Sequence, residues 1–386
     1  MFARGLFGSK GAKGASGKTV KARRVAIIGA GNGGHVAAFE LAQKGFAVHL
    51  CDIDEKVIEG IRNLGGIQAT GRFEGFAKIA LLTTDVREAI EGVEAILPMV
   101  PRYAHRSIAQ ELASCLRGHE HLLLCPGSTL GEVEFAKTLR ENGRDQPVST
   151  VATLPYACRL KEPGRVSISL ITKTLLFASF PAKDTEEEAR FFSALFPTIS
   201  EMSNGLEVGL NNGNPVTHPV PTLLNAARIE RGERFLFYRE GVTASVARIN
   251  QKLDEERMAL CRTLGFRTIS LTERLFLTGY ADRIYETPLE AYHRSEAFAP
   301  ILAPTSLHDR YLLEDVPYGL VTFASIGERL GVPTPTMRLI VNLAAEVTGI
   351  DFWKEGMTLS RLGLGGLDRF DLLRFMEEGR SPAVTW

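Results

Sequence analysis

The stretch Arg23–Asp54, RRVAIIGAGNGGHVAAFELAQKGFAVHLCDID, constrains this chain more than any other. The apolar run Val25–Ile28 leads without a spacer into Gly29, Gly31, Gly33 and Gly34. Such a run suits a strand buried on both faces. The spacing Gly29-x-Gly31-x-x-Gly34 provides a tight turn, a bare backbone and a close helix–strand contact. A helix is expected over His35–Lys44, ended by Gly45, and a second strand over Ala47–Cys51 delivers Asp52. Strand, turn, helix, strand and terminal acid in this order predict a dinucleotide site. Gly29, Gly31, Asn32, Gly33 and Gly34 would hold the pyrophosphate at a helix N-terminus, and Asp52 would take the ribose hydroxyls. Asp52, backed by Asp54 and Glu55, repels a 2′-phosphate, which favours NAD(H). Lys56 and Arg62 leave NADP(H) as the second option.

The alternation continues. Helical spacing over Lys56–Leu64 stops at Gly65-Gly66, and Gly71–Leu82 reads as a hairpin around Glu74-Gly75. Strands are expected over Ala95–Val100, His121–Cys125, Val148–Leu154 and Ser167–Phe180, with helices over Val86–Ile90, Ser107–Leu116, Val133–Arg140 and Glu186–Leu195. This rhythm predicts an α/β fold of Rossmann type, a doubly wound parallel sheet, over residues 23–204. Ligands bind beyond the carboxyl ends of such strands. Met99, Pro101 and Ser128 therefore join the cofactor candidates. From about Gly205 strand patterns give way to helices, including one long helix from Val242 to Leu264, so residues 205–386 read as an all-helical domain.

The 386 residues carry 45 basic and 45 acidic side chains, a formal charge of zero that points to no nucleic-acid partner. Five scattered cysteines without a CxxC pair suit a reduced, cytoplasmic protein. Eight histidines show no metal-ligand spacing; His119 and His121 read as exposed loop residues. No apolar run reaches the roughly 18 residues of a membrane span. Residues 1–22, rich in Gly, Lys, Ala and Ser, read as a disordered basic tail, with a transit peptide as the less favoured alternative.

Two polar stretches follow the change to helices. In Asn211–Pro221, Asn214 and His218 share one face of a helix, provided that Pro219 and Pro221 fall in a first turn or a kink. The alternative is that Asn214 caps a helix starting at Pro215 and His218 merely packs. In Pro304–Leu320, Arg310 and Asp315 sit in a polar loop before a helix that opens near Pro317-Tyr318-Gly319.

The Gly29–Gly34 fingerprint, Thr153-Leu154-Pro155-Tyr156-Ala157-Cys158-Arg159, Asn214-Pro215-x-x-His218-Pro219 and Arg310-Tyr311-x-x-Glu314-Asp315-x-Pro317-x-Gly319-Leu320 together resemble the NAD/NADP octopine/nopaline (opine) dehydrogenase family, as does Gly363-Leu364-Gly365-Gly366-Leu367. The resemblance runs from about Arg23 to the end; the basic tail and Pro221 depart from it. It implies that an amino acid and a 2-oxo acid condense to an imine, which the nicotinamide reduces to a secondary-amine dicarboxylate. It places the family's Asn, His and Asp on Asn214, His218 and Asp315, and its substrate-binding Arg on Arg310. His218 would be the general acid/base, oriented by Asp315. Tyr156 and Arg159 would wall the pocket, and a homodimer is possible. The alternatives are a related 2-oxo acid, ketopantoate or glycerol-3-phosphate-type dehydrogenase and a non-catalytic NAD-binding sensor. The first usually carries a lysine on the crossing helix, and Asn204–Arg228 contains none.

Overall fold

The computed structural model describes residues 23–386, and the basic tail expected over 1–22 lies outside the described residues. Among the described residues, twelve strands form two sheets. They are β1 (Arg24–Ile28), β2 (Ala47–Cys51), β3 (Ile67–Gly71), β4 (Gly75–Ala77), β5 (Leu81–Thr83), β6 (Ala95–Pro98), β7 (His121–Leu124), β8 (Val148–Val151), β9 (Tyr156–Glu162), β10 (Arg165–Ile171), β11 (Leu175–Phe180) and β12 (Ile199–Glu201). The main sheet runs in the order β12-β11-β8-β7-β6-β1-β2-β5. It is parallel except that β11 lies antiparallel to β8, and β12 follows the direction of β11.

Three expectations need correction here. The hairpin is only β3–β4; Leu81–Thr83 instead joins the main sheet beside β2. Ser167–Phe180 is two strands in different sheets, because the chain leaves β10 at Ile171 and re-enters at Leu175. A second sheet, β4-β3-β10-β9, therefore stands beside the glycine turn. Its β9–β10 turn is tied down by His35, whose imidazole Nε2 accepts from the Gly164 N–H at 3.0 Å while Nδ1 meets the Gly31 carbonyl at 3.1 Å. Burial lowers the pKa of His35, so its neutral ring can serve both bonds. His121 is no loop residue. It opens β7, stacks on Phe191 with centroids 3.7 Å apart, and meets Glu188 at 2.9 Å.

Helices α1 (Asn32–Gln43), α2 (Glu55–Leu64), α3 (Val86–Ala89), α4 (His105–Ala113), α5 (Gly131–Glu141) and α6 (Thr185–Phe192) cover the main sheet. The first begins at Asn32, earlier than His35, because Gly31 serves as its N-cap in extended conformation. The helical half comprises α7 (Gly205–Leu210), α8 (Asn214–Thr217), α9 (Pro219–Leu224), α10 (Ala226–Glu230), α11 (Ala244–Leu264), α12 (Leu271–Thr278), α13 (Pro288–Arg294), α14 (Arg310–Leu313), α15 (Val321–Leu330), α16 (Pro335–Thr348), α17 (Phe352–Glu355) and α18 (Arg369–Glu378). A π-helical turn, Val316–Leu320, precedes α15. Helix α11 is the axis, touching α8, α9, α13, α15 and α16, and Gly265 in left-handed conformation ends it as expected.

The core explains why the two halves hold one shared crevice. One apolar cluster runs from Leu112 and Leu139 on one face of the sheet through Leu210 and Leu260 to Phe323 and Phe375. Another fills the opposite face around Val36, Leu50, Phe177 and Phe192. Helix α7 packs directly on β8 and β11, which sets α8 and α9 beyond the strand ends.

Candidate active site

Three strand ends meet at the crevice: Gly29–Gly34 after β1, Met99–Pro101 after β6 and Pro126–Ser128 after β7. Gly29 has φ +105°, and a β-carbon there would lie 2.7 Å from the Met99 carbonyl oxygen. A β-carbon on Gly34 would overlap the Gly29 carbonyl oxygen, so α1 can lie this close to β1 only with glycine at 34. Gly31 differs. A β-carbon there meets nothing within 4 Å among the described residues, and the residue faces open space at the start of α1. Bare backbone, an open approach and a helix N-terminus are the features that a pyrophosphate requires.

Asp52 folds back over this turn. One carboxylate oxygen accepts from the Ala30 N–H at 2.6 Å and the other from the Asp54 N–H at 2.9 Å. Met99, Pro101 and Ser128 line the crevice, and Ser128 holds a left-handed backbone (φ 55°), a strained state that recurs at ligand clamps. The Asn32 side chain is otherwise engaged: its oxygen accepts from the Leu160 N–H at 2.6 Å. Gly33 gives its side-chain space to Leu154.

Opposite the turn, Asn214 and His218 are one helical turn apart, as the spacing predicts. The prolines are accommodated. Pro215 and Pro219 lie in the first turns of α8 and α9, and His218 joins the two helices in αR conformation. Pro221 cannot donate to the Thr217 carbonyl. Asn250 of α11 supplies the missing donor, its Nδ2 reaching the Thr217 carbonyl at 3.2 Å and the Val216 carbonyl at 2.7 Å. Asn214 is not a cap. Gly213 precedes the helix, and the Asn212 side chain accepts from the Asn214 N–H.

The polar loop expected around Arg310 and Asp315 is helical: α14, then the π turn. That turn packs on Pro215, where a β-carbon on Gly319 would overlap the proline ring. The close approach brings Asp315 to His218, with Nδ1 2.7 Å from the carboxylate and both side chains more than nine-tenths buried. Tyr311 stacks on the imidazole at 4.1 Å. With Nδ1–H donated to Asp315, Nε2 is the ring nitrogen left for a ligand. Burial pulls the His218 pKa below its ordinary value, Asp315 opposes that shift, and Arg310 and Arg274 add to it.

A cavity of about 560 Å³ joins the glycine turn to this pair. Arg310 and Arg159 both line it with exposed side chains. Among the described residues, the Arg310 guanidinium forms no hydrogen bond or ion pair and lies over the Tyr311 ring. Tyr156 also lines the cavity, but its hydroxyl donates to Glu40 of α1 and is not free for a ligand. The sequence reading missed Arg274 of α12 and an aromatic end wall of Tyr238, Tyr280 and Phe298. A signal for Arg274 existed: it shares the helix face of Leu271, Leu275 and Thr278, all of them buried. Among the described residues no three His, Cys, Asp or Glu side chains come together to hold a metal ion.

The buried His218–Asp315 pair thus faces the glycine turn across one cavity. Folds and sites of this kind define the pyridine-nucleotide-dependent dehydrogenases. Within that class, the chain belongs to the NAD/NADP octopine/nopaline (opine) dehydrogenase family and is an NAD(P)-dependent oxidoreductase acting on the CH–NH group of donors. The profile of that family's alpha-helical domain matches residues 201–348, and that of the NAD-dependent glycerol-3-phosphate dehydrogenase N-terminus matches 24–143. An opine dehydrogenase of Arthrobacter sp. (strain 1C) is 36% identical over 90% of this chain and 97% of its own length. Vitopine synthase of Allorhizobium ampelinum is 29% identical over 91% of this chain and 98% of its own. Among solved structures, octopine dehydrogenase with NADH and L-arginine superposes with a TM-score of 0.75 at 19% identity, covering 93% of this chain and 98% of that one. NADP+-bound yersinopine dehydrogenase gives 0.68 at 18%, covering 92% and 98%. These two show the fold. No described helix is long and apolar enough to cross a membrane.

Proposed function

We propose that this enzyme condenses an amino acid with a 2-oxo acid such as pyruvate and reduces the resulting imine to an opine, or oxidises the opine in reverse. The observation that carries this reading is the buried His218–Asp315 pair on the cavity that also opens on the glycine turn. The amine nitrogen attacks the oxo-acid carbonyl carbon, and water must leave. Protonated at Nε2, His218 gives its proton to the departing hydroxyl; in reverse, neutral Nε2 takes one from the water that attacks the imine. Asp315 fixes the tautomer and stabilises the imidazolium. Arg310, its guanidinium edges unengaged among the described residues, clamps a substrate carboxylate. Asn214 hydrogen-bonds the substrate or the nicotinamide carboxamide, Arg159 is a polar wall, and Tyr156 contributes its ring. Gly29, Gly31, Asn32, Gly33, Gly34, Met99, Pro101 and Ser128 hold the dinucleotide, and Asp52 takes the ribose hydroxyls. When bound, the reduced nicotinamide supplies the hydride to the imine carbon.

The test is NADH consumption with pyruvate and a panel of amino acids. Turnover should need both acids; turnover with pyruvate alone would mark a 2-oxo acid reductase, and tight NADH binding without any turnover a sensor. The same assay with NADPH checks the cofactor, because the Asp52 carboxylate beside the turn favours NADH. No lysine lies between Asn204 and Arg228, which disfavours the related lysine-dependent dehydrogenases.

The pKa of His218 sets an expectation for pH. In opine oxidation the neutral imidazole is the base. Since the folded-state pKa lies below 6.5, kcat/KM should be level at neutral pH and fall as pH drops through a value under 6.5. Asp315 is what raises that pKa against burial, so Asp315→Asn should move the acid limb to still lower pH. A limb at or above 6.5 in the wild type contradicts the assignment.

The organisation proposed with this reading is a dinucleotide domain over 23–204 and a substrate domain over 205–386, in a cytoplasmic homodimer. The half-exposed stripe Leu339, Leu343 and Val347 on α16 supports self-association, which sedimentation equilibrium would test.

A further inference from the structure

Arg274 is the buried cation that the reaction as described does not use. Its side chain is more than nine-tenths buried on α12, yet it lines the cavity. Its guanidinium is poorly satisfied by the protein. Nη2 donates to the Asn214 side-chain oxygen at a long 3.4 Å, and Nε is buried without a hydrogen-bond partner among the described residues. No carboxylate pairs with it among the described residues; Asp254, whose charge acts on it, is already closed on Arg257 at 2.7 Å. The site is nonetheless shaped for it. Gly213 leaves the space in which the guanidinium lies, and a β-carbon there would overlap Nε. Burial pushes its pKa down to about 10, so it remains a cation at neutral pH. A buried charge without a counter-ion is costly, and an anionic ligand offsets that cost.

An opine offers such a ligand. It carries two carboxylates, one from each precursor, flanking the secondary amine. Arg310 can hold only one of them. We propose that Arg274 is the second carboxylate anchor: one arginine takes the carboxylate contributed by the amino acid and the other that contributed by the oxo acid, with Asn214 and His218 between them at the reacting bond. This rests on the opine reading above.

The experiment compares substrates that have or lack each carboxylate. With wild type, the turnover pair is first found from the amino-acid panel with pyruvate. The kcat/KM ratio of that amino acid to its decarboxylated amine is then measured, and likewise the ratio of pyruvate to acetone. This is repeated in Arg274→Met, Arg274→Lys and Arg310→Met, with melting curves as the check on folding. A charge-assisted bond of this kind contributes roughly 10- to 100-fold. In Arg274→Met one ratio should fall about 30-fold while the other holds, in Arg310→Met the reverse, and Arg274→Lys should restore part of the lost ratio. Both ratios unchanged in a folded Arg274→Met, or both lost in Arg310→Met, overturns the second anchor while leaving the opine reading intact. A wild type that turns over no pair removes the opine reading and the anchor with it.

Discussion

Replacing His218 by alanine is expected to lower kcat by about 10²- to 10⁴-fold, the usual contribution of a positioned general acid/base, with the affinity for NADH little changed. The separation of effects follows from position. His218 lies on the helical side of the cavity and the dinucleotide cradle on the sheet side, so the variant loses proton transfer and keeps the nucleotide site. The cavity left behind is partly open already, so the fold should survive: Thr222 and Asn214 keep the helix bonded through the backbone at 218. Rapid-mixing measurement of NADH binding beside steady-state kcat checks both halves. A loss of less than 10-fold in kcat, or an equal loss in NADH affinity, would remove His218 from the chemistry.

The second large effect belongs to the glycine turn, where two neighbouring glycines should behave oppositely. Gly34→Ala places a methyl group on the Gly29 carbonyl oxygen, which is backbone and cannot rotate away. Helix α1 must move off β1, at a cost of about 3 kcal/mol or more for a clash of this kind, and melting temperature and NADH binding should fall together. Gly31→Ala meets nothing within 4 Å, and its φ of −75° suits alanine. That variant should melt like wild type yet bind NADH at least about 10-fold more weakly, because the methyl stands in the approach to the helix N-terminus. Equal stability losses in the two variants would contradict the reading of Gly31 as the open position. Calorimetry with and without NADH distinguishes the outcomes.

These expectations differ in how far the sequence alone supports them, and the reason is physical. The β1–α1–β2 unit was legible because local periodicity and local glycine chemistry specify it. The break inside Ser167–Phe180 was not, since an apolar run of two strands looks the same whether they share a sheet or divide between two. The β9–β10 hairpin exists because it closes against β3, a partner almost a hundred residues earlier, and no local pattern announces that. Asn214 and His218 were placed on one face by spacing, but their helix carries three prolines, and only Asn250 from the distant α11 makes it tolerable. His218 and Asp315 are 97 residues apart. Family resemblance assigned them together; the geometry adds that the π turn and Gly319 are what close the gap. Arg274 escaped notice because an arginine on an apolar helix face is set by the cavity it meets, not by the helix that carries it.

The organisation of the site also accounts for the cofactor side. Asp52 is held by two backbone N–H groups at the mouth of the turn, which fixes its carboxylate in advance for the ribose contact proposed above. Preorganisation of this kind lowers the ordering cost of binding. Solved structures that share this fold hold NADH in one case and NADP+ in another.

The central claim is that hydride reaches an imine carbon joining two acids, and the fate of the hydrogen tests it directly. The enzyme is given pyruvate, the best amino acid of the panel and NADH deuterated at the transferred position, and the products are read by mass spectrometry. The account predicts a secondary-amine dicarboxylate carrying one deuterium on the carbon that came from the pyruvate carbonyl, with NAD+ and water as the other products. Deuterated lactate with the amino acid recovered unchanged would contradict it.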